Sequence, residues 1–372
     1  MGEFRPIERR AYGEEDFAHS PLLVFYEVTR ACNLLCVHCR ADAQRKAHPL
    51  ELRNGDARKM IAELARFPRP PLLVLTGGDP IKREDIFDLV NYAAGKGLEV
   101  AMTPSATPLV TGEVIERLKE AGLHRFAVSL DGADDRTHDG FRRVPGSFAR
   151  TLAIIERAIE VGLPVQVNTT LAQHNVGQVE QIAELLAKYE IVLWSVFFLV
   201  PTGRGLAGER LTGEQVEGVF GRLLNESRRR RFAIKTTEAP HYRRFVIQRR
   251  QNQPQPDAMR SRFVGTNDGK GVMFVSHIGE IFPSGFLPVE CGKTPRDSVV
   301  DVYQNSSLFK ALRDPDRLGG KCGVCDYRGM CGGSRARSYA MSGDPLAAEP
   351  DCVYVPSGWP PPLSSSVLTA GG

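Results

Sequence analysis

The chain predicts an α/β fold: parallel strands walled by helices, in a partial (β/α)6 barrel followed by a smaller cysteine-bearing region. Three observations carry this. Six aliphatic or β-branched runs recur at residues 22–28, 72–75, 98–102, 126–130, 165–170 and 192–200. Segments with helix-period apolar residues lie between them, and repeated strand–helix units favour a parallel sheet with helices outside. Finally, the 8 cysteines fall in two groups, 32/36/39 and 291/322/325/331/352, with none between.

Each element has its own signal. Met60, Ile61, Leu64 and Phe67 mark one helix face, Phe148, Leu152, Ile155 and Ile159 a second, and Val179, Ile182, Ala183 and Leu186 a third. Ser147 reads as a helix N-cap. Residues 211–231 read as an outer helix whose terminal arginines, 228–231, complement its dipole or form a solvated face. Residues 271–282 read as a hairpin turning at His277-Ile278-Gly279. The expected organisation is an N-terminal arm (1–20), a barrel (21–231), a basic linker (232–262) with a Gln/Pro-rich stretch at 248–257, a C-terminal domain (263–354) and a disordered tail (355–372).

Composition narrows the class. Over 372 residues, 42% hydrophobic and 25% charged content suits a globular protein with a substantial core. A net charge of +4 is too mild to point to nucleic acid. No apolar run approaches a membrane span, and residues 1–20 lack the apolar core of a signal peptide. Clustered cysteines without a secretion signal read as metal ligands in a reducing, cytoplasmic setting.

Cys32, Cys36 and Cys39 stand at C-x3-C-x2-C spacing directly after the first strand. Three thiolates on one short loop can hold three irons of a [4Fe–4S] cluster and leave the fourth open. A zinc site would favour paired C-x2-C knuckles closing a four-ligand set, and no second pair lies nearby. The motif resembles the signature of radical S-adenosylmethionine (SAM) enzymes. That resemblance implies SAM on the open iron, a 5′-deoxyadenosyl radical and a partial barrel. His38 stands where an aromatic is usual, a planar ring able to lie against adenine.

The resemblance extends along the strand ends. Gly77, Gly78 and Asp79 in Thr76-Gly77-Gly78-Asp79-Pro80 are similar to the family's GGEP motif, whose backbone meets the SAM amino group. Without the cysteine loop the same residues read as a strand-ending turn. Ser129 and Arg142 match positions that contact the methionine carboxylate or ribose, and a planar guanidinium suits a carboxylate. Asn168 is a ribose contact or a buried satisfied amide. Residues 201–205 read as the top of the last strand, near adenine.

Cys322, Cys325, Cys331 and Cys352 form a second set, C-x2-C-x5-C with a distant fourth. Four thiolates also suit zinc. The segment resembles the SPASM or twitch extension of radical SAM enzymes, a small α+β iron–sulfur domain, and implies one auxiliary [4Fe–4S] cluster. Cys291 is the competing or spare ligand. Ser284 and Arg335 stand where full SPASM domains carry further cysteines.

Residues 322–337 and 349–352, with Arg40 and Ala41, resemble the tetrapyrrole-modifying branch, which includes a heme synthase and the heme d1 biosynthesis enzyme. The expected activity is radical modification of porphyrin propionates, with a flavodoxin or ferredoxin as electron donor. Lys235, His241, Arg243 and Arg244 are candidate carboxylate partners or a solvated basic segment. A peptide maturase is the second reading. About twenty residues before the first strand are too few for its leader-binding domain, so a partner would supply it. A non-enzymatic iron–sulfur or zinc redox sensor is the third, and it leaves the glycine, Ser129 and Arg142 set without purpose.

Overall fold

The computed structural model describes residues 12–13, 15–250 and 265–360. Seven parallel strands follow one another in sheet order: β1 (Leu23–Thr29), β2 (Leu72–Gly77), β3 (Val100–Met102), β4 (Arg125–Ser129), β5 (Val165–Leu171), β6 (Leu193–Phe198) and β7 (Ala233–Thr237). All six expected strands are present. The seventh lies in the segment read as a linker. Its mixed residues, Ala-Ile-Lys-Thr-Thr, carry little apolar signal, because only Ile234 packs against the core.

The C-terminal region continues the same sheet. It supplies β8 (Asn267–Asp268), β9 (Gly271–Val275), β10 (Glu280–Phe282) and β11 (Gly292–Lys293). β9 joins the free side of β1 in parallel, and β10 folds back antiparallel, as the expected hairpin requires. The sheet therefore runs from β11 to β7 without closing, consistent with a partial barrel.

Side-chain alternation sorts the two faces of each strand. Val24, Tyr26 and Val28 are fully buried against the outer layer, as are Leu73, Leu75, Phe126 and Val128. Met60, Ile61, Leu64, Val179, Ile182, Ala183 and Leu186 meet them from the helices, on the faces their spacing indicates. The helix Ser147–Glu160 is rotated from its expected face. Thr151, Ile154, Ile155 and Ala158 are its deepest residues, and Phe148, Leu152 and Ile159 pack at its margin.

Ser147 is not that helix's N-cap. Gly146, at φ +77°, holds the position, and Asp139 accepts from the Gly146 and Phe148 amides at 2.6 and 2.7 Å. A carboxylate from the preceding helix thus does the capping and frees the Ser147 hydroxyl. The described part of the N-terminal arm is docked. Phe17 is buried in a short helix, Asp16–His19, and its carbonyl accepts from the Tyr303 hydroxyl at 2.8 Å. Residues 1–11, the 251–257 part of the Gln/Pro-rich stretch and the tail from 361 lie outside the described residues. Among the described residues no helix is long and apolar enough to cross a membrane.

Candidate active site and second cysteine group

The loop after β1 carries Cys32, Cys36 and Cys39, all free thiols. Each sulfur receives an N–H donor. The Leu34 amide lies 3.3 Å from Cys32 Sγ, the Ala43 amide 3.4 Å from Cys39 Sγ, and Arg142 Nη1 3.7 Å from Cys36 Sγ. Ser105 Oγ lies 3.3 Å from Cys32 Sγ. Donors aimed at sulfur favour thiolate, the metal-binding form. Burial works against them and raises the Cys32 and Cys36 thiols. Donors around three free sulfurs fit the negative charge of thiolates that hold an iron–sulfur cluster.

Two neighbours hold this loop in place. The Gly78 and Asp79 amides donate to Thr29 and Ala31 carbonyls at 2.8 and 2.7 Å. A Cβ on Gly78 would sit 2.4 Å from the Ala31 oxygen, so the approach demands glycine. On the far side, the Arg204 amide donates to the Cys39 carbonyl at 3.0 Å, which places residues 201–205 against the cysteine loop. Asp79 itself is fully buried and accepts from Thr107 Oγ1 at 2.7 Å. Its carboxylate fastens the β3 loop, leaving the backbone to face the cleft.

That cleft has a volume of about 150 Å³ and is bordered by Gly77, Gly78, Ser105, Ser129, His138 and Arg142. Arg142 ion-pairs with Asp131, Nε to Oδ2 at 2.7 Å. Burial alone would raise the Asp131 carboxyl, but Arg142 and then His38 hold it below the usual range. Arg142 is in turn kept charged by Asp131 against burial. His138 Nδ1 accepts from the Asp131 amide at 3.0 Å, which puts the ring proton on Nε2, 3.2 Å from Ser147 Oγ. Burial lowers its pKa to about 4. His38 stacks on Phe141 at 3.8 Å, and Phe141 on His174 at 3.9 Å. Burial pulls the His38 pKa down to about 3.

The second group comes together as well. Cys322, Cys325, Cys331 and Cys352 line one cavity with His241, Arg244 and Glu349. Again every sulfur receives a donor. The Glu349, Tyr327 and Gly333 amides reach Cys322, Cys325 and Cys331 at 3.3, 3.4 and 3.4 Å, and Arg244 Nη2 reaches Cys352 at 3.9 Å. Among the described residues no three His, Cys, Asp or Glu side chains converge to grip a single ion. Cys291 is apart from the four. Its thiol donates to the Val289 carbonyl at 3.5 Å and packs beside the main core.

A model of the radical SAM superfamily matches residues 26–186. An AdoMet-dependent heme synthase of Methanosarcina barkeri is 38% identical over 343 residues, which take in 91% of this chain and 98% of that protein. The chain belongs to the radical SAM superfamily. A second AdoMet-dependent heme synthase, of Oleidesulfovibrio alaskensis, is 36% identical over 95% of this chain and 96% of its own length. The crystal structure of Streptococcus suis SuiB bound to precursor peptide SuiA shares the fold. Its TM-score is 0.70 at 18% identity, over 90% of this chain and 76% of that one.

As a radical SAM enzyme the chain uses SAM and an iron–sulfur cluster. Its strand ends hold more than sequence reading assigned. Asp131, His138, Ser105 and the Phe141–His174 pair all border the cysteine loop or its cleft. Their signal was position alone, at or just after the ends of β3, β4 and β5. Ser129 and Asn168 are register partners on β4 and β5. The same row continues through Ser195 to Lys235 on β7, across the inner face of the barrel. Asn168 Oδ1 accepts from Gln166 Nε2 at 2.7 Å, so the amide is at least partly satisfied within β5.

The four basic candidates face different partners. The chain turns at Glu238, at φ +57°, and this turn carries the next residues onto the second cysteine group. Lys235 alone stays on the inner row. Burial, then Arg243 and Arg125, lower its pKa to about 8. The Lys235 side chain is exposed on the inner row of the open sheet. Arg243 donates to Met330 and Thr266 carbonyls, both at 2.9 Å, and Arg244 ion-pairs with Glu217. His241 is buried, and neither ring nitrogen has a hydrogen-bond partner. A buried donor left so costs about 1–3 kcal/mol.

Proposed function

We propose that this enzyme removes carboxyl groups from propionate side chains of an iron porphyrin, the substrate class of heme or heme d1 precursors. In this reading Cys32, Cys36 and Cys39 hold the SAM-binding [4Fe–4S] cluster. Cys322, Cys325, Cys331 and Cys352 hold an auxiliary one. The observation that carries it is end-to-end similarity to AdoMet-dependent heme synthases, in a chain whose seven grouped sulfurs all face N–H donors. When bound, SAM and its cluster supply a carbon radical able to take a hydrogen atom from an unactivated carbon.

The chain's own residues do the positioning. The backbone of Gly77 and Gly78 borders the cleft where the SAM amino group belongs, and Ser129 and Arg142 face its carboxylate or ribose. Arg142 arrives already oriented by Asp131, and Asp131 by the Thr170 amide at 2.7 Å. Lys235, across the lumen, pairs a substrate carboxylate. Loss of one hydrogen atom and CO2 from a propionate yields the vinyl group and one surplus electron. The second thiolate set is where this chain can place an acceptor, and a flavodoxin or ferredoxin class donor supplies the electron that starts SAM cleavage.

The test is anaerobic reconstitution with iron and sulfide counting, then 5′-deoxyadenosine detection with dithionite and SAM, with and without iron–coproporphyrin. Deoxyadenosine that rises with the porphyrin, and a product lighter by carboxyl loss, support the proposal. Porphyrin-independent cleavage that rises only with a peptide and its leader-binding partner would move the substrate to the maturase class. Zinc in the C-terminal site would remove the auxiliary cluster.

A further inference from the structure

We infer that His241 is a positioning residue of the auxiliary cluster, donating its ring N–H to a cluster sulfur and thereby setting the cluster's reduction potential. The inference rests on the auxiliary-cluster reading above and goes beyond it, because His241 stands outside the four-thiolate set.

His241 is 1% exposed, and both Nδ1 and Nε2 lack a partner among the described residues. In any neutral tautomer one of these nitrogens carries a proton. The ring borders the same cavity as Cys322, Cys325, Cys331 and Cys352. It is held edge-on to Phe220 at 4.9 Å, so its plane is fixed by packing and not by hydrogen bonds. Arg244, three residues on, reaches Cys352 Sγ at 3.9 Å from the same stretch. Two side chains from 241–244 therefore meet the thiol cavity, and one has an acceptor there already. The cavity's occupant supplies the other's.

Four cysteines complete the iron valences, so the imidazole is left for the outer sphere. Donation to sulfur stabilises the more negative, reduced cluster and raises its potential. A higher potential suits a site that must take the surplus electron from decarboxylation.

The test uses the full chain with Cys32, Cys36 and Cys39 replaced by alanine, so that only the auxiliary cluster gives an EPR signal. Potentiometric titration follows in this background and in His241→Phe and His241→Gln. His241→Phe keeps the packing and loses the donor. Its cluster should be about tenfold harder to reduce, ~59 mV lower for one electron, with iron content unchanged. His241→Gln restores an N–H and should recover most of the shift. Equal potentials in all three would overturn the inference while leaving the auxiliary cluster intact. So would a strong nitrogen coupling in 15N-histidine-labelled protein, which would make His241 a ligand. Should His241→Phe fail to load iron, the Gln variant and the nitrogen coupling decide: a weak coupling supports donation, and none refutes it. If the background protein holds no iron–sulfur cluster at all, the auxiliary-cluster reading fails, and that failure is visible before any potential is measured.

Discussion

The two cysteine groups use the same element for opposite ends. The first takes three sulfurs from one loop, and the side chains beside them come from far along the chain, Ser105 from the loop after β3 and Arg142 from the end of the helix Asp135–Arg142. Those residues also border the cleft, so the site is open on one side by construction. The second draws four sulfurs from one region. Three of its donors are amides close to the cysteines, at Tyr327, Gly333 and Glu349. A glycine pair, Gly332–Gly333, borders it too, but that pair follows Cys331 directly and lies within the four-sulfur set. An incomplete ligand set invites a substrate, and a complete one can only exchange electrons. On the proposed reading, reaction belongs to the cleft beside the first group and electron acceptance to the second.

The sharpest way to break this contrast is to remove one sulfur from each group. Cys36→Ala should abolish deoxyadenosine formation, a loss to background, while iron at the second group persists. Cys331→Ala should do the reverse: the second iron signal disappears, SAM is still cleaved, and decarboxylated product falls steeply. Equal loss of both signals in either variant would show that the groups are not independent.

The next effect is on stability, and it separates the donor types. Arg142 serves Cys36 and also neutralises Asp131, which has no exposed surface. Arg142→Met should cost about 3–5 kcal/mol in denaturant unfolding, because it strands a buried carboxylate. Adding Asp131→Asn should restore part of that loss without restoring SAM affinity. At the second group no donor amide carries such a liability.

Most of this division was legible beforehand. Both cysteine spacings, the glycine pair and Arg142 are local strings, and local strings survive without a structure. β7 was not, because a strand that packs a single half-buried apolar side chain, Ile234, against the core looks like a loop. The four basic residues of 235–244 read as one patch because sequence distance hides the turn at Glu238. His138 was passed over for a related reason. Its partners, Asp131 and Ser147, lie on opposite sides of it in the chain, and only the strand-to-helix turn brings them together.

His138 and Lys235 give opposite pH signatures, which sharpens the distinction between frame and site. His138 is held neutral, with its pKa lowered to about 4. The unfolded chain binds its proton first, so stability should fall as pH drops from about 6.5 towards 4. His138→Gln should flatten that slope in melting curves. Lys235 loses its charge as pH rises through about 8. Porphyrin affinity should therefore weaken above pH 8, and Lys235→Met should be weak at every pH and lack that inflection.

The smallest expected effect belongs to Cys291. Its thiol donates to the Val289 carbonyl at 3.5 Å. It borders neither cavity. Burial raises its thiol further, which disfavours the thiolate a metal needs. Cys291→Ser should therefore leave iron content, deoxyadenosine yield and the auxiliary potential unchanged, at a stability change of about 1 kcal/mol. Cys352→Ser is the matched control and should lose the auxiliary cluster. If the two variants exchanged these outcomes, the fourth ligand would be Cys291, and the chain would have to draw residues 289–292 away from β10 to reach the other three sulfurs.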